Sequence, residues 1–308
     1  MKKLKIGTRG SNLALWQAQY VATQIKLHTD IEVEIIIIKT KGDKILDVAL
    51  SKIGDKGLFT KEIEIKLLEK EIDLAVHSMK DLPSVLTDGL MIGAVLERED
   101  PRDVFISKDN LTIENLPLGA KIGTSSLRRI AQVKAFRSDI VTVDIRGNVE
   151  TRIRKMQEEK LDGIILAFAG VKRLNLEHLI TQIIDDNIIL PAVGQGAIAV
   201  EVRQNDLETL EILASINHQA TALATTAERA FLRELEGGCQ VPIAAYSFLA
   251  GEKLNLQGLV ASLDGQTVYR SSMVGGMSAA GNLGVSLAQE LIAQGALDIL
   301  DEIKKLGD

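Results

Sequence analysis

Four consecutive isoleucines, residues 35–38, lie within a predicted strand over 31–39. β-Branched side chains favour strands, and a strand that lacks polar alternation is typical of a parallel sheet covered by helices on both faces. A strand pattern over 3–8 and an amphipathic helix that begins at Gly10-Ser11 precede this stretch. The order strand, helix, strand predicts that the chain opens with a parallel α/β sheet whose second strand is buried on both faces.

The same order of elements restarts further along the chain, with strands or helices predicted at 121–123, from 126, at 140–143, from 148 and at 163–167. The tripeptide Ile-Gly-Thr occurs at 6–8 and again at 122–124, each time in the first strand of its part. A charged stretch with a proline at 97–103 and a proline- and glycine-containing stretch at 191–196 are predicted to connect the two parts. We therefore predict two similar α/β lobes joined by two crossings, with a ligand in the cleft.

The last third of the chain has a different pattern. A helix is predicted over 219–235, followed by three alternating stretches at 243–249, 254–262 and 267–274 and by helices at 283–293 and 297–303. Short turns between the alternating stretches predict an antiparallel sheet. The predicted fold is α/β, with two periplasmic-binding-protein-like lobes and a C-terminal α+β domain that has a three-stranded antiparallel sheet. We place lobe 1 at 1–97 and 197–216, lobe 2 at 102–191 and the C-terminal domain at 218–308.

Composition excludes several classes of protein. The net charge of −6 argues against a general nucleic-acid binder, which needs a basic surface. No apolar run is long enough to span a bilayer, so we expect no membrane association and a cytoplasmic protein. The four histidines have no metal-ligand spacing, and we expect no metal site. A single cysteine cannot form an internal disulfide, which agrees with a reducing compartment.

That cysteine, Cys239, follows Gly237-Gly238 and precedes Pro242. Glycine and proline disfavour regular structure, so the thiol is predicted to lie on a loop. A lone cysteine in a loop has two interpretations. It is either a small packed hydrophobe or a nucleophile that carries a group.

Hydroxyl, arginine and lysine side chains recur where predicted strands meet the helices that follow them. In an α/β sheet these junctions lie at one edge, where helix N-termini bind anions. Basic residues at a helix start are unfavourable next to the dipole unless an anion offsets them. Ordinary N-caps and solvated arginines are the alternative interpretation. The four junctions are Thr8-Arg9-Gly10-Ser11, 77–81, 124–129 and 144–148 with Arg152.

Asp81 lies among these cationic groups, directly after Lys80. A carboxylate next to positive charge is expected to stay ionised, so it could accept N–H bonds from a ligand or stabilise a developing cation. The alternative is a carboxylate that only satisfies backbone donors at a helix start.

Motifs along almost the whole chain resemble those of one family, porphobilinogen deaminase, also called hydroxymethylbilane synthase. One departure is Asp55 in GDKGLF, where many members have glycine. The motifs that carry the resemblance are TRGSNLALWQAQ, GDKGLF, AVHSMKD, EREDPRD, GTSSLRR, DIRGNVETR, AGVKRL, LPAVGQGA, TAERAF and EGGCQVPI.

The resemblance implies that Cys239 holds a dipyrromethane cofactor through a thioether. It implies that four molecules of the substrate porphobilinogen are added in turn with loss of ammonia, and that hydrolysis releases hydroxymethylbilane. Each substrate unit carries an acetate and a propionate, so carboxylates accumulate in one cleft and basic side chains are expected to hold them. The family also suggests a monomer.

The resemblance assigns roles to individual residues of this sequence. The implied catalytic residues are Asp81, Arg9 and Lys80. The implied cofactor-binding residues are Cys239, Lys80, Asp81, Ser126, Arg128, Arg129 and Arg146. The implied substrate-binding residues are Arg9, Ser11, Gln17, Lys52, Lys56, Phe59, Arg146, Arg152 and Arg173.

Two other functions compete with this transferase. A non-catalytic anion-binding module would have the same lobes and basic junctions, with Cys239 merely buried. A thiol acyltransferase would use Cys239 as a nucleophile, but the sequence positions no histidine to activate it. Release of ammonia from porphobilinogen distinguishes the first of these from a deaminase.

Overall fold

The structure is a computed structural model that describes residues 3–44, 60–235 and 241–307. The sequence-based predictions for Lys52, Lys56, Phe59 and Cys239 lie outside the described residues. The elements as far as the end of the second sheet are β1 (Lys3–Thr8), α1 (Asn12–His28), β2 (Glu32–Ile37), α2 (Lys41–Lys44), α3 (Lys61–Leu68), β3 (Leu74–Ser78), β4 (Leu90–Val95), β5 (Asp103–Ser107), β6 (Lys121–Gly123), α4 (Leu127–Phe136), β7 (Val141–Val143), α5 (Val149–Glu158), β8 (Gly163–Ala167), α6 (Phe168–Arg173) and β9 (Gln182–Ile183).

The remaining elements return to the first sheet and then build a third. They are β10 (Ile198–Arg203), α7 (Leu207–Ala214), α8 (Gln219–Glu234), β11 (Ile243–Ala250), β12 (Lys253–Ala261), β13 (Val268–Gly276), α9 (Ala280–Ala293) and α10 (Ala296–Gly307). Among the described residues no single helix is long and apolar enough to cross a membrane.

Two five-stranded sheets have the same topology. The first has the order β2-β1-β3-β10-β4 and the second β7-β6-β8-β5-β9. In each, the first three strands are parallel and the fourth is antiparallel to its neighbours. That antiparallel strand directly follows a crossing from the other sheet. The predicted parallel opening of β1 beside β2 is present, and each sheet as a whole is mixed. We call the parts built on these sheets lobe 1 and lobe 2. The prediction of two similar lobes joined by two crossings is confirmed.

The repeated Ile-Gly-Thr marks equivalent positions in the two lobes, because β1 and β6 both lie second in their sheets. Its glycine lies close to an apolar side chain at both sites. A Cβ on Gly7 would lie 2.3 Å from Ile72 Cδ1, and one on Gly123 would lie 2.8 Å from Leu161 Cδ1. The short sequence repeat therefore reflects the same packing of a strand against the residue that leads into the third strand of the sheet.

The isoleucine-rich strand is not buried on both faces as predicted. β2 is the edge strand of its sheet, and Ile37 is 56% exposed. Its position at the edge follows from the sheet topology, which a local pattern does not show. Of the four isoleucines, Ile38 alone is fully buried, and it packs against Ile63, Leu67 and Ile72. Sequence analysis also missed the short elements β5, β9, α6 and α7.

The C-terminal part is an α+β unit with the predicted three-stranded antiparallel sheet, in the order β11-β12-β13. Helices α8 and α9 cover one face of this sheet with a shared apolar core. The ring of Phe231 occupies the space above Gly258, where a Cβ would lie 2.6 Å from the ring. The prediction of a C-terminal α+β domain with a three-stranded antiparallel sheet is confirmed.

One buried carboxylate connects the C-terminal unit to both crossings. Glu228 on α8 is fully buried and forms a bidentate pair with the first-crossing residue Arg98, with Nη1–Oε1 at 2.5 Å and Nη2–Oε2 at 3.2 Å. It also accepts hydrogen bonds from the backbone N of Gly194 in the second crossing, at 2.7 Å, and of Ser247 on β11, at 2.8 Å. A buried ion pair is stable only when its hydrogen bonds are satisfied in this way.

The variant Glu228→Gln should therefore unfold much more easily than the unaltered protein. An amide cannot accept from all these donors, and the Arg98 guanidinium would remain buried without its counter-charge, at a cost of about 3 kcal/mol. Urea unfolding followed by circular dichroism measures this loss. Glu158→Gln is the matched control, because Glu158 is exposed and pairs with Arg154 on the same helix. An equal effect of the two substitutions would contradict the role of Glu228.

Candidate active site

The carboxyl ends of the central strands bring the predicted junctions of the two lobes together. In lobe 1, β3 ends in a single 3-10 turn, Met79–Asp81, which presents Lys80 and Asp81. In lobe 2, β6 leads into α4 with Arg128 and Arg129 in its first turn. Lys80 is connected to both arginines through Gln195, which bonds to Asp103, the partner of the two guanidinium groups.

Asp103, the first residue of β5, is the internal partner of the two arginines. Its Oδ2 lies 2.8 Å from Arg128 Nη1 and its Oδ1 lies 2.7 Å from Arg129 Nη2, and all three side chains are buried. Burial by itself would raise the pKa of Asp103, but the two guanidinium groups outweigh this and hold the pKa well below its usual range. The anion expected next to these arginines is thus at least partly supplied by the protein itself.

Lys80 lies at the boundary between the lobes. Its Nζ is 3.4 Å from Oε1 of Gln195, a residue of the second crossing. Burial lowers the pKa of Lys80 to about 8, and the positive charges of Arg129 and Arg128 act in the same direction, against the opposite effects of Asp81 and Asp103. The ammonium therefore lies in a region that is both partly desolvated and rich in positive charge.

Arg152 extends the cationic cluster along α5. Its Nε donates to the carbonyl oxygen of Gly147 at 2.8 Å, which directs the guanidinium back towards the start of the helix. Burial lowers its pKa to about 10, with further lowering by Arg129 and Arg146, while Asp81 and Asp144 oppose this. Gly147 has a φ of +121°, and a Cβ there would lie 2.5 Å from Thr151 Cγ2, so the turn requires glycine.

The first turn of α1 forms the lobe 1 side of the site. Ser11 is the N-cap of α1 and accepts a hydrogen bond from Ala14 N at 3.3 Å, which is the ordinary structural role of such a residue. Gln17 Nε2 donates to Ser78 Oγ at 2.8 Å and connects α1 to the end of β3. Arg9, just before the cap, is partly exposed.

Arg173 connects lobe 2 to both lobe 1 and the second crossing. Its Nη2 donates to Gly196 O at 2.6 Å, and its guanidinium carbon lies 5.5 Å from the centre of the Trp16 ring on α1. Burial lowers the pKa of Arg173 to about 10, opposed by Glu99 and Tyr20. Arg173 thus lies where the two lobes and the crossing meet.

Six of the predicted site residues lie close enough together for their charges to interact, namely Lys80, Asp81, Arg128, Arg129, Arg146 and Arg152. Ser126 precedes α4 as its N-cap residue but makes no side-chain capping bond. Sequence analysis missed Asp103 and Gln195. A signal for Asp103 was present, because the acid is followed at once by the buried apolar run Val104-Phe105-Ile106. No comparable signal marked Gln195.

The cluster carries an excess of positive charge. The cationic side chains are Lys80, Arg128, Arg129, Arg146 and Arg152, and the carboxylates that interact with them are Asp81, Asp103 and Asp144. Five cations therefore face three anions. Among the described residues, no group of three His, Cys, Asp or Glu side chains could hold a metal ion. This arrangement suits a ligand that carries several carboxylates.

Two surface grooves lie away from this cluster. One, of about 620 Å³, lies between residues 84–88 and α8, and another, of about 550 Å³, lies beside Asn187 and Arg270. Neither is lined by a residue that sequence analysis assigned to the site.

Comparisons with known proteins agree along the whole chain. Residues 4–211 match the family model described as porphobilinogen deaminase, dipyromethane cofactor binding domain, and residues 222–293 match that of the porphobilinogen deaminase C-terminal domain. Among solved structures, the periplasmic VFT2 domain of BvgS from Bordetella pertussis is similar at a TM-score of 0.43 and 14% identity, over 70% of this chain and 86% of that one.

Curated relatives are much more similar. A porphobilinogen deaminase of Syntrophomonas wolfei is 60% identical over 99% of this chain and 100% of its own length. Those of Carboxydothermus hydrogenoformans and Desulforamulus reducens are 56% and 52% identical, over 99% and 98% of this chain and 98% of each relative. Because both family models and these relatives agree over almost its full length, the chain belongs to the porphobilinogen deaminase family.

Proposed function

We propose that this protein is a hydroxymethylbilane synthase of tetrapyrrole biosynthesis. It polymerises four porphobilinogen molecules head to tail on a dipyrromethane primer and then releases hydroxymethylbilane by hydrolysis. In each addition the aminomethyl C–N bond of porphobilinogen breaks and ammonia leaves. A C–C bond then forms to the terminal pyrrole of the chain, which loses a proton. The observation that supports this best is the cationic cleft, because each added unit brings two more carboxylates.

The residues present fit a dipyrromethane cofactor with its four carboxylate groups. Positive charges outnumber negative ones in the cluster, with five cationic side chains and three carboxylates. When bound, the cofactor supplies a pyrrole carbon as the nucleophile for the first addition. Arg128, Arg129 and Arg146 would hold its carboxylates with charge-assisted hydrogen bonds.

Asp81 is the residue that we assign to the chemical step. It is exposed at the end of β3, and its charge acts on both Lys80 of lobe 1 and Arg152 of lobe 2. Loss of ammonia and attack by a pyrrole carbon both develop positive charge on the rings. A fixed carboxylate that accepts from ring N–H groups would stabilise that charge in the transition state. Lys80 and Arg9 would orient the acidic side arms.

We assign the covalent anchor to Cys239, the only cysteine of the sequence. A thioether holds the primer through successive additions, whereas a thioester intermediate of an acyltransferase would be hydrolysed. The growing chain would be accommodated by Arg9, Ser11, Gln17, Lys52, Lys56, Phe59, Arg152 and Arg173. We also propose that the enzyme acts as a cytoplasmic monomer.

Intact-mass spectrometry of the purified protein should show the polypeptide plus two condensed pyrrole units. In the variant Cys239→Ala this added mass should be lost, together with the release of ammonia from porphobilinogen. An anion-binding module would show neither the added mass nor ammonia release. A protein that has only its polypeptide mass and still consumes porphobilinogen would disprove the covalent primer.

Asp81→Asn should keep the cofactor mass but lose turnover by about three orders of magnitude, because a neutral amide stabilises the developing cation far less than a carboxylate. Stopped assays of product formation measure this loss. Asp88→Asn is the control, since Asp88 is an exposed acid of the same lobe outside the cluster. Turnover in Asp81→Asn within tenfold of the unaltered enzyme would exclude this role.

The pH dependence of kcat/KM should show an alkaline limb due to Lys80. Its pKa is lowered from 10.5 to about 8 in the chain, so the ammonium is charged below that pH and loses its charge above it. Carboxylates of the bound cofactor raise the value again, which places the limb between about 8 and the ordinary pKa of lysine. In Lys80→Arg the limb should disappear because guanidinium stays charged. Persistence of the limb in this variant would assign it to another group.

A further inference from the structure

Gln195 is a buried amide at the point where the two lobes meet. Its side chain is 1% exposed, and its NH₂ group donates to Pro101 O at 2.6 Å and to Asp103 Oδ1 at 2.9 Å. Both acceptors belong to the stretch that leads from the first crossing into β5. Since these bonds fix which way the amide points, its Oε1 is directed at Lys80 Nζ, 3.4 Å away in lobe 1.

The backbone of this residue is held as firmly as its side chain. Gly194 and Gly196 have φ values of +71° and +88°, and a Cβ would lie 2.3 Å from Met79 Cγ at the first and 2.4 Å from Glu99 O at the second. The carbonyl oxygen of Gln195 accepts from Arg98 Nε at 2.8 Å. The amide therefore cannot turn away from Lys80 without breaking contacts on both sides of the chain.

We propose that Gln195 is a positioning residue that holds the Lys80 ammonium at the cleft and keeps it protonated. This inference rests on the proposed function, in which Lys80 binds carboxylates. Lys80 faces the cations Arg128 and Arg129 and the anions Asp81 and Asp103. An amide oxygen stabilises the ammonium without adding negative charge. A carboxylate at the same place would stabilise the Lys80 ammonium more strongly, but it would reduce the positive excess that attracts the acidic ligand.

The test compares Gln195→Met with Gln132→Met in the full-length protein that carries its cofactor. Gln132 is buried like Gln195, but it lies in lobe 2 and bonds to the backbone of Arg128 and Leu190. The rate of Lys80 acetylation by acetic anhydride is followed against pH by peptide mass spectrometry, which reports the fraction of free amine. We expect the apparent pKa of Lys80 to fall by about one unit in Gln195→Met, because the charged form loses an acceptor, and to stay unchanged in Gln132→Met.

A second variant moves the same quantity in the opposite direction. Gln195→Glu should raise the apparent pKa of Lys80, because a carboxylate replaces the amide oxygen, and it should raise KM for porphobilinogen more than it lowers kcat. Gln195→Glu also carries the test if Gln195→Met does not fold. An unchanged acetylation profile in whichever of these variants folds, or an equal shift in Gln132→Met, overturns the proposal. Acetylation of Lys80 does not require turnover. A protein that failed to polymerise porphobilinogen would therefore still show whether Gln195 affects Lys80, and the two failures can be distinguished.

Discussion

The arrangement of the cleft depends on one buried carboxylate, Asp103. It binds the two guanidinium groups that begin α4, and it accepts from the amide of Gln195, which reaches Lys80. Without it, two buried arginines would lose the carboxylate that pairs with both, which costs several kcal/mol per ion even after relaxation. Because Asp103 compensates Arg128 and Arg129, lobe 2 can fold with these two cations buried beside the cleft.

Glu228 is a second buried carboxylate that compensates a buried arginine, away from the cleft. It satisfies Arg98 of the first crossing and a backbone donor of the second, and it belongs to the unit that follows both. The two acids are connected through Gln195, whose carbonyl oxygen binds Arg98 and whose side chain binds Asp103. The crossings are thus held by charge-assisted hydrogen bonds, and an apolar cluster between lobe 2 and the C-terminal sheet adds to these contacts.

Sequence reasoning succeeded where the information is local. The apolar alternation of the C-terminal strands and the repeated Ile-Gly-Thr are both patterns of a few consecutive residues, and both agree with the structure. It failed where the position or the partners of a residue depend on segments far away in the sequence. The isoleucines of β2 look like a central strand, but the order of the sheet places them at its edge. Asp103 was assigned only to a charged crossing, because its partners, Arg128 and Arg129, lie on a different element.

In each lobe the antiparallel strand directly follows a crossing, and this order has a consequence for biosynthesis. The strands of lobe 2 are contiguous, so its sheet can form as soon as β9 has left the ribosome. In lobe 1, β10 lies between β3 and β4 and pairs with both. These two strands are therefore joined only when β10 has been made, about a hundred residues after β4. During translation the first lobe to begin is therefore the last to close, and β4 spends that interval as an unpaired edge in need of protection from other nascent chains.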